Sequence, residues 1–135
     1  MTKWINPKTN WTGSKDEYFN LDPDYNRIKG NIEYVAELAN LLYRDFNIPT
    51  LETPHFLDIP TVSFFNKTSE AITTIQEHTI KPDGYEALRN YSPNGTVWDW
   101  IELNKMENNL LLMLGTLQRQ KDNRKRLSFK LGGKF

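Results

Sequence analysis

The chain has no cysteine among its 135 residues. Disulfides and thiolate chemistry are therefore excluded, and so is any zinc site built on sulfur. It has only two histidines, His55 and His78, and no HExxH pair. No metal site and no cofactor are expected, because a ligand set has too few members. No GxGxxG and no Walker loop are present to cradle a phosphate. No G-x-S-x-G elbow marks a serine as a nucleophile. Adjacent acids such as Asp16 and Glu17 cannot face each other across a substrate. An enzyme is not expected from these residues. The longest apolar run is LLLML, Leu110 to Leu114, far too short for a bilayer. The opening MTKWINPKTNWTG lacks the apolar run of a secretion signal, so neither export nor a membrane is expected. Charge of one sign is lacking too. Seventeen basic side chains balance seventeen acidic ones, which argues against a dedicated nucleic-acid binder.

What the chain does have is a repeated phrase. DYNRIKGNI opens at Asp24 and ELNKMENNL opens at Glu102, 78 positions later. Both read acid, apolar, Asn, base, apolar, two further residues, Asn, apolar. The Asn-base pair recurs in the middle of the chain as Asn66-Lys67. Its three copies are Asn26-Arg27, Asn66-Lys67 and Asn104-Lys105, spaced by 40 and 38 residues.

Each copy stands near the start of an apolar stripe. Tyr25, Ile28, Ile32, Val35, Ala39, Leu42 and Phe46 step alternately by 3 and 4, which is one face of a helix. Asp22 is the expected N-cap, with Pro23 at the first helical position. Ile48-Pro49 is the expected stop. Gly30 is a weak spot, costing about 1 kcal/mol against alanine. Leu103, Met106, Leu110, Met113 and Leu117 repeat the stripe over 99–120. There Asp99 and Glu102 are placed to form a capping box, and Trp98 and Leu103 occupy the staple positions. Val62, Phe65, Ile72 and Ile75 give a third stripe, with Thr68 or Ser69 filling its gap.

The expected fold is mainly α: three amphipathic helices joined by long loops, with an extended N-terminal arm and a short C-terminal β-strand. In domain terms, residues 1–21 are the arm, 22–121 the three-helix domain, and 122–135 a basic tail carrying the strand. The strand rests on the alternation of Leu127, Phe129 and Leu131 with Ser128 and Lys130. The loops 47–60 and 80–98 are rich in turn formers. They also carry Phe56, Leu57, Tyr85, Leu88 and Tyr91, which suit packing onto the helices. YEALRNY has the composition for one or two more helical turns.

Asn31 and Asn109 lie deeper in their helices, each beside a stripe residue. Asparagine is a mediocre helix former, because it competes for backbone groups. Its amide can bridge to a neighbouring helix or to a loop backbone, fixing register. The competing expectation is that both face solvent. Asn26, Arg27, Asn66, Lys67, Asn104 and Lys105 are the expected organisers of the helix starts. Trp4, Trp11, Phe129 and Leu131 are the expected partner contacts. The tail, with seven basic residues from Arg119 to Lys134, is a solvated helix end, a dock for an acidic protein face or a contact for nucleic acid, the last disfavoured by overall neutrality.

The stretch NPKTNWTGSKDEYFNLDPDYNRIKGNIEYV resembles tail and baseplate-associated proteins of siphophages infecting Gram-positive bacteria, of the Bacillus type. The resemblance rests on Lys8, Thr9, Asn10, Trp11 and Thr12, then Asn26, Arg27, Ile28, Asn31 and Ile32. DIPTVSFFNKTSEAI resembles the group's second helix start, with Asp58 through Ser63, Asn66 and Lys67 matching. WDWIELNKMENNL resembles its third, at Leu103, Asn104, Lys105, Glu107, Asn109 and Leu110. Two departures stand out: Gly30 replaces a helix former, and Phe64-Phe65 replaces a more polar pair. The latter implies burial where relatives are exposed. The resemblance implies a non-enzymatic virion part, located in the virion tail or in host cytoplasm during phage assembly. Implied partners are other tail or baseplate proteins and further copies in a homo-oligomer. A cell-wall saccharide bound through Trp4, Trp11, Trp98 or Trp100 is the alternative that the resemblance and the aromatic content both suggest.

Overall fold

The structure is a computed structural model, and it describes residues 3–43, 45–51, 62–89 and 99–132. Among the described residues it is mainly helical, with three helices. They are α1 (Asn26–Leu42), α2 (Val62–Glu77) and α3 (Trp100–Gly132). Among the described residues there is no strand.

The apolar stripes form the core. Ile28, Ile32, Val35 and Ala39 of α1 meet Leu103, Met106, Leu110, Met113 and Leu117 of α3, with Ala71, Ile72 and Ile75 of α2 completing the cluster. Each large member buried here contributes about 1.5–3 kcal/mol. Thr68 and Ser69 are both buried at the gap in the α2 stripe. Tyr25 and Phe65 form a smaller cluster beside the main one. The expected burial thus holds for Phe65, while the Phe64 side chain lies outside the described set.

α1 differs from expectation at both ends. Asp22 does not cap it: Asp22 is exposed, with extended backbone (φ −129°, ψ 120°), and its peptide bond to Pro23 is cis. A single π-type turn, Leu21–Tyr25, leads into the helix instead, closed by the Tyr25 N–H donating to the Asn20 carbonyl at 3.0 Å. Asp24 instead reaches back, accepting the Asn20 N–H ahead of the turn at 2.9 Å. At the other end α1 stops at Leu42, ahead of Phe46 and well ahead of Pro49. Two side chains account for the stop. The Asn40 amide oxygen takes the Phe46 N–H at 2.9 Å, and the Arg124 guanidinium donates to the Leu42 carbonyl. A cation there also complements the helix dipole.

α1 and α3 run side by side in the same direction. Arg27 meets Glu107 near their starts, and Tyr43 donates to Gln120 at 2.8 Å near the end of α1. α3 then continues to Gly132 as one helix of 33 residues. The expected strand at Leu127, Phe129 and Leu131 is therefore replaced by helix, and no break separates 121 from 122. The physical reason is that the chain has no glycine or proline between Thr116 and Leu131. An established helix propagates cheaply through Gln, Lys, Arg and Leu, whereas a lone strand has no partner.

The N-terminal segment, residues 3–19, is neither helix nor strand. It lies on the helices of its own chain rather than apart from them, with Trp11 in the core and Trp4 and Phe19 packed against it. Residues 85–89 are likewise irregular, so through Arg89 the extra turn expected of YEALRNY does not form. Tyr85 and Leu88 pack onto the core as expected of that loop. Phe56, Leu57, Tyr91 and Trp98 lie outside the described residues.

Candidate functional site

The repeated phrase builds the same local device twice. Its acid and base pair three residues apart: Asp24 with Arg27 at 3.0 Å, and Glu102 with Lys105 at 3.2 Å. Its second asparagine then grips a distant stretch of backbone with both ends of its amide. The Ile5 N–H donates to Asn31 Oδ1 at 2.9 Å, and Asn31 Nδ2 donates to the Ile5 carbonyl at 2.7 Å. The Glu86 N–H donates to Asn109 Oδ1 at 3.0 Å, and Asn109 Nδ2 donates to the Glu86 carbonyl at 2.7 Å. Both asparagines are fully buried. Each satisfies one residue's N–H and C=O together, as a neighbouring strand would. Ile5 precedes Asn31 by 26 residues and Glu86 precedes Asn109 by 23. Each helix thus holds the segment that leads into it.

A third clip crosses between the copies. The Trp11 N–H donates to Asn104 Oδ1 and Asn104 Nδ2 donates to the Trp11 carbonyl, both at 2.8 Å. Between the two clips on the N-terminal segment, the Lys8 N–H donates to Glu107 Oε1 at 3.1 Å. The anchor points Ile5, Lys8 and Trp11 recur every three residues, the repeat of a polyproline-II chain. Lys8 Nζ lies 4.2 Å from the Trp11 ring centroid, within cation–π range. The second segment is anchored at the same interval. Three residues beyond Glu86, the Arg89 N–H donates to Glu102 Oε2 at 2.8 Å.

The ion pairs of Arg27 are buried. Arg27 forks onto Glu107, with Nε to Oε1 at 2.7 Å and Nη2 to Oε2 at 2.8 Å, while Nη1 reaches Asp24 at 3.0 Å. Hydrogen bonding to Glu107 is the chief reason that the Arg27 pKa lies above the ordinary arginine value. Glu107 and Glu102 are both completely buried. Glu102 Oε1 has Lys105 Nζ at 3.2 Å and Arg89 Nε at 3.5 Å as charge contacts, without a well-directed hydrogen bond.

Asp99 takes the N-cap position of α3, where its Oδ1 accepts the Glu102 N–H at 2.9 Å. That bond, more than the nearby Arg89 guanidinium, holds the Asp99 carboxyl below its usual pKa. The other half of the expected capping box goes elsewhere: the Glu102 carboxylate serves the Arg89 segment. Glu17 closes the N-terminal segment. Its Oε1 accepts the backbone N–H groups of Thr12, Gly13 and Ser14. The Thr12 N–H is the main cause of its lowered pKa.

The copies differ in three places. Asn26, the counterpart of Asn104, is exposed, and its amide makes none of the described hydrogen bonds. Asn66 and Lys67 are half-buried in the first turns of α2. Ala71 stands in α2 where Asn31 and Asn109 stand in the other helices, so the middle copy has no second clip. Asp24, Glu107, Glu17 and Arg89 were not singled out by sequence reasoning as site residues. Glu107 did leave a signal, since it is an acid at helical spacing between Leu103 and Leu110.

The aromatic residues are divided in exposure. Trp11 is buried and Trp4 is half-buried, with its ring 6.1 Å from Tyr34. Trp100 is exposed and walls a shallow groove of about 550 Å³ together with Thr9, Glu86, Ile101 and Asn108. Phe129 and Leu131 fall in α3, and their side-chain surroundings are outside the described set. Among the described residues no helix is long and apolar enough to cross a membrane. No family model, no curated protein and no solved structure matches the chain.

Proposed function

We propose that this chain is a non-enzymatic structural or adaptor protein of a phage tail or baseplate, working through protein–protein contacts. The observation that carries the reading is the use of its buried and half-buried polar groups. Asn31, Asn104 and Asn109 are spent on main-chain clips. Arg27, Asp24, Glu107 and Glu102 are spent on ion pairs and backbone amides within the chain. A catalytic site keeps such groups open towards a substrate; here they tie chain segments to helices. The resemblance of the three helix starts to siphophage tail proteins supplies the setting. Immunogold electron microscopy of purified virions tests it. Gold at the tail tip is the expected result. No gold, with the epitope shown to be accessible, would contradict a place in the finished particle.

A second reading, a saccharide-binding attachment module, has one specific support. Trp100 offers an exposed ring beside polar Thr9, Glu86 and Asn108. Titration with host cell-wall polysaccharide, monitored by tryptophan fluorescence, tests it. An unchanged spectrum at saturating polysaccharide would rule it out.

A further inference from the structure

Residues 3–11 lie on the helices as a bound peptide would. Trp4, Pro7 and Lys8 are half-buried and Trp11 is buried, while the residues between them are exposed. Among the described residues, no hydrogen bond joins the main chain of this stretch to any other main chain. Five hydrogen bonds with helix side chains hold it instead, through Asn31, Asn104 and Glu107. All five end on main-chain groups of Ile5, Lys8 and Trp11, so they read an extended backbone at every third residue. Trp11 enters the core, and the Trp4 ring lies 6.1 Å from Tyr34. Anchors at a three-residue interval along a polyproline-II chain are how proline-rich peptides dock in grooves.

The link from this arm to α1 is slight. Residues 12–16 are exposed. They are held by Glu17 Oε1, which accepts the N–H groups of Thr12, Gly13 and Ser14 in bonds that are all exposed. Fully extended, residues 12–20 span about 30 Å. The pairing of α1 with α3 needs none of the arm, because Ile28, Ile32 and Val35 meet Met106 and Leu110 directly and Arg27 forks onto Glu107. The arm is therefore a unit that opens locally while the helices stay paired.

We propose that the face of α1 and α3 that holds residues 3–11 is an exchangeable peptide-binding groove, filled in a lone copy by its own arm and, between copies, by the arm of another. The fit of this occupant is on view in the closed chain. The arm of a second copy brings the same Ile5, Lys8 and Trp11 main-chain groups and the same two indoles to the same three side chains. Closed and exchanged forms therefore make the same arm contacts, and protein concentration decides between them. A short flexible link holds the chain's own arm at an effective concentration on the order of mM, so exchange is favoured where copies are crowded together. Arm exchange does not depend on a phage setting, since the clips alone carry it.

Native-state hydrogen exchange on the wild-type chain comes first. The Ile5 and Trp11 amides should exchange through a local opening, at least about tenfold faster than the slowest core amides of α1 and α3. Exchange of both only at the rate of those core amides would mean that the arm leaves only when the chain unfolds, and would overturn the proposal. Two full-length variants then read the passage between copies. Ile5→Pro with Lys8→Pro removes two anchoring N–H groups from the arm and leaves the groove intact. Asn31→Ala with Asn104→Ala weakens the groove and leaves the arm intact. Each alone should sediment as a monomer with its helical circular dichroism retained. Mixed, they should form a one-to-one complex, the intact arm of one filling the intact groove of the other. A fluorescein-labelled peptide of residues 2–12 should bind the proline variant about tenfold more tightly than it binds the wild-type chain, because the competing arm has lost two hydrogen bonds. The same peptide with Trp11→Ala should not bind. Folded variants that fail to associate when mixed would overturn the proposal, as would equal binding of the two peptides. Where either variant loses its helical circular dichroism, the labelled peptide at about 1 mM on the wild-type chain replaces it, and absence of binding there would overturn the proposal equally.

Discussion

Arg27 on α1 and Glu107 on α3 are joined by two parallel hydrogen bonds of 2.7 and 2.8 Å, and the carboxylate is fully buried. The pair stitches the two repeated phrases to each other. Removing Glu107 leaves the Arg27 guanidinium only Asp24 as a counter-ion and takes the acceptor from the Lys8 N–H, so Glu107→Ala should cost about 3 kcal/mol in urea unfolding, the low end for a broken buried pair. Replacing both residues by apolar ones of similar volume should cost far less than the two single changes added together. A double-mutant cycle reads the difference directly, and additivity within experimental error would show that the pair is not coupled.

Asn31 and Asn109 do the same job on different segments. Alanine at either position removes two hydrogen bonds to the main chain, each worth about 0.5–1.5 kcal/mol net, so each change should cost about 1–3 kcal/mol. Ala71 occupies the equivalent place in α2, so Ala71→Asn should bring no comparable gain. Thermal or urea unfolding of the three variants checks this. Loss of less than about 0.5 kcal/mol at both asparagines would mean that the clips are idle.

Two glycines should respond in opposite directions. Gly30 lies inside α1, and a Cβ there would meet nothing within 4 Å. Gly30→Ala should therefore stabilise by about 0.5–1 kcal/mol, through helix propensity and a less flexible unfolded chain. Gly13 has φ +79°, and a Cβ there would fall 2.4 Å from Cδ1 of Trp100. Gly13→Ala should destabilise and should also shift Trp100 fluorescence.

Acid should weaken the fold through Glu17 and Asp99. Backbone N–H groups hold both carboxyls below their ordinary values, 4.5 and 3.8. As pH falls, the unfolded chain takes up these protons first, so stability is fully present above about pH 5 and is lost as pH drops through the folded-state values. The two single variants Glu17→Gln and Asp99→Asn should each flatten the acid limb of the stability profile. An identical limb in both would assign acid unfolding to other groups.

The sequence made the helical faces legible and left their partners hidden. The stripe from Ile28 to Ala39 and that from Leu103 to Leu117 are visible because a core demands apolar residues at helical spacing, and both are buried. The asparagines stood out because the phrase repeats. What they hold could not be seen, since the targets are the main-chain groups of Ile5, Trp11 and Glu86, which every residue possesses. The tail misled for a different reason. Leu127, Phe129 and Leu131 alternate like a strand, but alternation shows only which residues could share a sheet face. It supplies no neighbouring strand, and α3 arrives at that point already nucleated. The cap at Asp22 fails because the chain enters α1 through a π-type turn that has Asp22 inside it, in extended backbone, rather than at its start.

The repeated phrase is a backbone-holding device, and amide hydrogen exchange followed by NMR tests that most directly. In the wild-type chain the Ile5, Trp11 and Glu86 amides should be protected although they lie outside regular secondary structure. Asn31→Ala should release Ile5 while Glu86 stays protected, and Asn109→Ala should do the reverse. Ile5 and Glu86 amides that already exchange at unfolded-chain rates in the wild type would contradict the account.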